Sequence, residues 1–152
     1  SADKLPAISK YYDYDEGAPG KSAQSNGITC IYRYAEVLLM YAEASTRATN
    51  SVNQDALNAI QEVQKRAGYQ NRQIELTTTT EPAAFLAAVS NERGWEFFAE
   101  MKRWFELVRL EKVKEVRAEE WDASTFNTNH HYYFPVPYQQ VDLAGWTNNA
   151  GY

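Results

Sequence analysis

The sequence predicts a mainly α protein: a helix hairpin of tetratricopeptide-like type, a long aromatic-rich helical region, and a loop-rich C-terminal tail. Three observations carry this expectation. Apolar residues recur at helical spacing in three stretches of the 152-residue chain. Start and stop residues bracket those stretches. The last twenty residues lose the period and gain Pro, Gly and Asn.

Residues 1–29 read as a linker or an exposed loop. Tyr11, Tyr12 and Tyr14 stand among Asp13, Asp15 and Glu16, and the stretch from Gly17 to Gly27 is rich in Gly, Ser and Asn. Residues 30–152 are expected to form one helical domain. Its first helix begins near Ile31 with a stripe at Tyr34, Val37, Leu38, Tyr41 and Ala42, and ends near Ala48. Thr49-Asn50-Ser51 is a turn, after which Ser51 or Asn53 can cap the next helix by accepting from its unpaired amides. Ala56, Leu57, Ile60, Val63 and Ala67 make the second stripe. Gly68 then suits a left-handed stop.

The pair is close to a tetratricopeptide unit of about 34 residues. One hairpin cannot bury both faces, so its stripes must pack on the third helical region or on chain outside this sequence. That region starts at Pro82, where the first turn of a helix tolerates proline. Phe85, Leu86 and Val89 lead into Phe97, Met101, Trp104, Phe105 and Val108, with Phe98 on the flank. So much aromatic surface predicts near-complete burial, with Trp95 also in the core. Gly94 marks a kink or a close helix crossing. Regular structure is expected to fade between Glu111 and Trp121. His131 to Phe134 reads as extended, Pro135 and Pro137 hold the chain open, and Pro137 to Val141 starts a helical turn.

Composition narrows the function. With 15 Lys+Arg against 20 Asp+Glu, a net charge of -5 and no basic run, the chain is not expected to bind nucleic acid. No stretch approaches the roughly 20 apolar residues that span a bilayer. The N-terminus lacks the apolar core of a secretion signal, as in either a cytosolic protein or an excised fragment. Cys30, the single cysteine, is expected to pack as a small apolar residue beside the first helix. The adjacent His130 and His131 have no thiolate or i, i+4 partner, so no metal and no cofactor is expected.

Glu92, Glu96 and Glu100 lie four apart on one helix face. A carboxylate pair is what glycoside hydrolysis needs, and Glu92 or Glu96 would carry it. The same spacing arises from helical periodicity alone, and pairing with Arg33, Arg66 or Arg103 is the favoured reading. Sugar rings stack on aromatic planes while their hydroxyls pair with amides, so loop aromatics are the candidate ligand contacts: Tyr11, Tyr12, Tyr14, Trp121 and Trp146.

Five ordered blocks resemble the C-terminal region of the SusD/RagB family. They are Arg33 to Leu39 with Tyr41 to Ala44; Ala56 to Gly68 ending Arg66-Ala67-Gly68; Glu92-Arg93 with Glu96-Phe97; Lys102 to Arg109; and Phe134-Pro135-Val136-Pro137 with Asn148 to Tyr152. Departures are Gly94 where a larger residue is usual, Met101 where the family often has Gly, Glu106 for Asp, and Ala150 for Pro. The resemblance implies a lipid-anchored protein on the outer membrane of Bacteroidetes that binds an oligosaccharide or other nutrient. It implies that the ligand is handed to a TonB-dependent transporter and that no residue is catalytic. The rival roles are a scaffold that meets the transporter while absent chain holds the ligand, and the glycosidase above. The tail has no period, so turns and a buried or docked Tyr152 must hold it. Its place at the last residue implies an intact natural C-terminus and a truncation at the N-terminal side.

Overall fold

Ile8, Lys10 and residues 30–69, 75–116 and 131–152 are described by the computed structural model. The chain divides into two compact units, Ser1–Met101 and Lys102–Tyr152. Nearly all of the expected linker over 1–29 lies outside the described residues.

In the first unit, α1 (Tyr34–Thr49) packs on both α2 (Gln54–Arg66) and α3 (Pro82–Glu96). Leucine, alanine, methionine and glutamate favour α1, and Asn50 ends it in the left-handed conformation at φ 48°. The cap of α2 is Asn53, whose Oδ1 accepts from the Ala56 amide at 2.7 Å. At its far end Gly68 sits at φ 85°, the Gly68 amide donates to the Lys65 carbonyl and the Tyr69 amide to that of Gln64. Both of these otherwise unmatched carbonyls are thereby satisfied. Pro82 opens α3 as expected, and the Glu81 carboxylate accepts from the amides of Ala83 and Ala84.

The core joins Leu39 and Ala42 of α1, Ala56, Ala59, Ile60 and Val63 of α2, and Phe85, Val89 and Phe97. Three alanines at the α1–α2 contact let the backbones approach closely. Each large side chain then adds about 1.5–3 kcal/mol of hydrophobic stabilisation. The predicted α1 stripe is corrected in register: Tyr34, Val37 and Tyr41 are exposed, while Leu39, Ala42 and Thr46 face inward with Glu36 and Glu43. α1 is apolar on two sides, so periodicity could not choose between them. The inward glutamates are tolerated because arginines meet them, Arg93 on Glu36 and Arg47 on Glu43.

The long helical region is interrupted. α3 stops at Glu96, a turn follows with Ala99 at φ 63° and Met101 at φ 59°, and α4 (Arg103–Arg109) begins anew. Gly94 lies inside the last turn of α3, which continues through it. The Glu96 carbonyl accepts from Lys10 Nζ and Arg33 Nη2, and the Phe98 carbonyl accepts from Lys10. Cationic side chains thus satisfy carbonyls that another helical turn would have used. This break corrects the expected aromatic core. Phe97 is buried and Trp104 partly so, but Trp95 and Phe105 are 64% and 65% exposed. Cys30 is also exposed, not packed.

The second unit holds α4, α5 (Val113–Val116) and α6 (Tyr138–Ala144). Leu107 and Val113 form its small core with Trp104, Val108 and Tyr132 against them. α4 closes like α2, with the Glu111 amide on the Val108 carbonyl and the Lys112 amide on that of Leu107, although Glu111 takes the left-handed place usual for glycine. α6 follows Pro137 and stops at Gly145, φ 69°.

Candidate functional site

Charged side chains of α1, α2 and α3 converge at one end of the first unit. Arg33 Nε spans both oxygens of Glu100 at 3.1 Å, Arg33 Nη1 reaches Glu96 Oε1 at 2.5 Å, and Arg66 pairs with the other oxygen of Glu96. Lys10 pairs with Glu100. One turn deeper, Arg93 faces Glu36 at 3.8 Å between buried side chains. The Phe97 ring lies under both guanidiniums, 4.7 Å from Arg33 and 5.4 Å from Arg93.

The electrostatics divide the three glutamates. For Glu100, burial opposes the charge, but hydrogen bonds from Arg33 and Lys10 and their positive charges outweigh it and hold the carboxyl below its ordinary range. For Arg33, burial disfavours the charge and the two carboxylates more than restore it, so its pKa rises. Glu92 goes the other way. It is 1% exposed, and burial pushes its carboxyl up, aided by Glu96, against hydrogen bonds from Gln64 and Tyr69 and the charge of Arg66. Tyr69 is raised in turn, by burial and by the Glu92 charge.

This arrangement is a structural ion-pair cluster. Glu96 is gripped by two guanidiniums and Glu92 is sealed from solvent, so neither is placed as the acid or base of a hydrolytic pair. Pairing with Arg33 and Arg66 agrees with the sequence expectation. Arg103 departs from it, binding Glu106 within the second unit at 3.0 Å. Sequence reasoning missed Lys10, the Glu36–Arg93 pair and the contacts of Gln64. The one available signal was the pair of glutamates, Glu36 and Glu43, sharing the inward face of α1.

The candidate ligand contacts fare differently. Tyr11, Tyr12, Tyr14 and Trp121 lie outside the described residues, and so does His130. Trp146 follows Gly145 at the end of α6 and is 59% exposed. Tyr133, Phe134 and Tyr138 of the same unit are also exposed. The tail is stitched back onto this segment. Asn148 Oδ1 accepts from the Val136 amide at 2.8 Å, Asn149 Nδ2 donates to the Phe134 carbonyl at 2.6 Å, and the Tyr152 hydroxyl donates to the Tyr133 carbonyl at 3.0 Å. Tyr152 is therefore docked by its hydroxyl, not buried. Among the described residues, no group of three or more His, Cys, Asp or Glu is placed to hold a metal ion.

The family model for the SusD family matches residues 2–152. The chain belongs to the SusD family. Among curated relatives, it is 27% identical over 144 residues to SusD-like protein P25 of Formosa agariphila, covering 91% of this chain and 26% of that protein. SusD-like protein P2 of the same organism is 28% identical over 156 residues, covering 97% and 30%. A solved SusD homologue from Bacteroides thetaiotaomicron superposes with a TM-score of 0.68 at 26% identity, covering 87% of this chain and 30% of that one. A SusD superfamily protein from Parabacteroides distasonis gives 0.66 at 29% identity, covering 80% and 27%. The chain thus spans about a quarter to a third of the length of these SusD relatives.

The fold explains why the SusD blocks occur together. Arg33 and Glu36 of the first block are the partners of Glu96 and Arg93 in the third, and Arg66 of the second block closes the same cluster. Phe134 to Val136 and the terminal Asn148-Asn149 are likewise two halves of one clasp.

Proposed function

We propose that this chain is a helical portion of a nutrient-binding protein that takes up an oligosaccharide or related nutrient outside the cell. In this reading the whole protein is lipid-anchored at the outer membrane and passes its ligand to a TonB-dependent transporter. Membership of the SusD family over residues 2–152 carries the reading. No helix among the described residues is long and apolar enough to cross a membrane.

Within this portion the ligand contacts are assigned to Trp146, with Tyr11, Tyr12, Tyr14 and Trp121. An exposed indole offers a sugar the flat apolar face it stacks on. Calorimetric titration with a panel of oligosaccharides tests the assignment. Heat that appears with one sugar and disappears in Trp146→Ala, Trp121→Ala or Tyr12→Ala supports it. A second reading has one observation in its favour: Arg33, Glu36, Arg66, Arg93 and Glu96 of the first three SusD blocks are spent on internal pairing, as a scaffold would require. Silence with every sugar, with the transporter still bound by the whole protein, selects the scaffold.

A further inference from the structure

The stripe that periodicity assigned to the core side of α1 lies outside it, and it runs on past the tyrosines. Tyr34, Val37, Tyr41, Ala44 and Ala48 follow one another by alternating steps of three and four residues, and all five are exposed. That alternation keeps one row of side chains on one face for about four turns, and it is the spacing with which one helix seats against another at a shallow angle. None of the five is charged. The charged residues of α1, Glu36, Glu43 and Arg47, stand elsewhere round the helix, with both glutamates on the inward face.

An amphipathic helix at a protein surface has one apolar face, turned to its core, and α1 has two. The inward one is already used by α2 and α3, through Leu39, Ala42 and Thr46. A helix apolar on both sides belongs to the interior of a larger body. The row is also graded as a helix seat is: the tyrosines of its first half offer broad flat surface, and the alanines of its second half let another backbone come within about 8 Å.

Two features decide the occupant. With 16 residues α1 is about 24 Å long, so the row offers roughly 300 Å², well short of the about 800 Å² per partner that a stable interface between separate chains buries. A second copy of the chain is therefore a poor fit, whereas an element of the same polypeptide is held close by its connection and needs no such area. The chain accounts for only 26% and 30% of the two curated SusD relatives, which leaves most of a protein of that length to supply the element. Helix hairpins also bury their outer faces by stacking on neighbouring hairpins. Resting on the reading of this chain as a portion of a longer protein, we propose that Tyr34, Val37, Tyr41, Ala44 and Ala48 seat a helix from the part of the same polypeptide outside residues 1–152. That helix carries an uncharged stripe of the same alternation, bulky where it meets Ala44 and Ala48 and small where it meets Tyr34 and Tyr41.

The purified whole protein tests this. A benzophenone photo-crosslinker placed by Tyr41→p-benzoylphenylalanine should link, within one molecule, to a peptide outside residues 1–152, identified by mass spectrometry. In the wild-type protein, hydroxyl-radical labelling of Tyr34 and Tyr41, 66% and 45% exposed here, should be at least about fivefold slower than those exposures give, as for side chains at the centre of an interface. Ala44→Glu separates a covered face from an open one. On an open helix it is close to neutral, because glutamate is a good helix former and would stand one turn before Arg47; beneath a seated helix it should lower the thermal midpoint by several degrees. Crosslinks confined to residues 1–152, or joining two molecules, overturn the proposal. So do tyrosines labelled at the rate of free peptides, whether or not the variants fold, and an unchanged midpoint for Ala44→Glu. Protected tyrosines in a protein that gives no heat with any sugar support the seated helix and remove only the nutrient reading. Freely labelled tyrosines in a protein that binds sugar remove the seated helix alone.

Discussion

Arg33→Ala removes the residue on which the charged cluster turns. Its guanidinium makes a bidentate contact to Glu100, a contact to Glu96 Oε1 at 2.5 Å and another to the Glu96 carbonyl at 2.7 Å. Breaking a buried ion pair by removing one partner costs about 3–5 kcal/mol, chiefly because a charge is left uncompensated. Here that penalty is moderated, because Arg66 still pairs with Glu96 and Lys10 still pairs with Glu100. The Arg33 side chain is also 26% exposed. We therefore expect a loss of about 2–3 kcal/mol by urea denaturation followed by circular dichroism, about twenty to two hundred-fold in the folding constant. Glu96→Ala combined with Arg33→Ala in a double-mutant cycle should return a coupling of at least about 1 kcal/mol. Arg47→Ala is the comparison: its i, i+4 contact to the buried Glu43 is made from a half-exposed position and should cost at most about 1 kcal/mol. If Arg33→Ala costs no more than Arg47→Ala, or if the cycle shows no coupling, the cluster does not stabilise the fold as argued.

Glu100, whose carboxyl is depressed in the fold, contributes stability that is present at neutral pH and lost as pH falls below about 4.5 toward its folded titration. Glu100→Gln should thus be less stable than wild type at pH 7 and lose less on acidification, as read from urea midpoints across pH. Gly68→Ala should cost about 1 kcal/mol from its positive φ alone, since a Cβ there meets nothing within 4 Å. A much larger loss of thermal midpoint would mean a clash the structure does not contain. Met101→Gly should stabilise by about 0.5 kcal/mol. It removes the strain of a left-handed, exposed methionine but adds freedom to the unfolded chain; a lower thermal midpoint would refute the strain.

Local rules written in the sequence were obeyed locally. Asn53 caps α2, Gly68 stops it, Pro82 opens α3, and Gly145 ends α6. Each depends on φ preferences or a hydrogen bond within four residues, so neighbours along the chain suffice to decide it. The five SusD blocks, recognised in order, likewise carried the family and its helical fold without coordinates.

Tertiary structure decided the rest. Only packing could choose which side of α1 faces α3, because Tyr34, Val37 and Tyr41 compete with Leu39 and Ala42 on equal hydrophobic terms, and the choice rests on arginines reaching Glu36 and Glu43. Only packing could end α3 at Glu96, where Lys10, 86 residues away, and Arg33 take its carbonyl. The glutamates that read as a carboxylate stripe became three different groups: Glu100 held ionised by cations, Glu96 shared by two arginines, and Glu92 buried against Gln64 and Tyr69. Helical spacing put them on one face, but charge and burial depend on what lies opposite, and that belongs to chain distant in sequence.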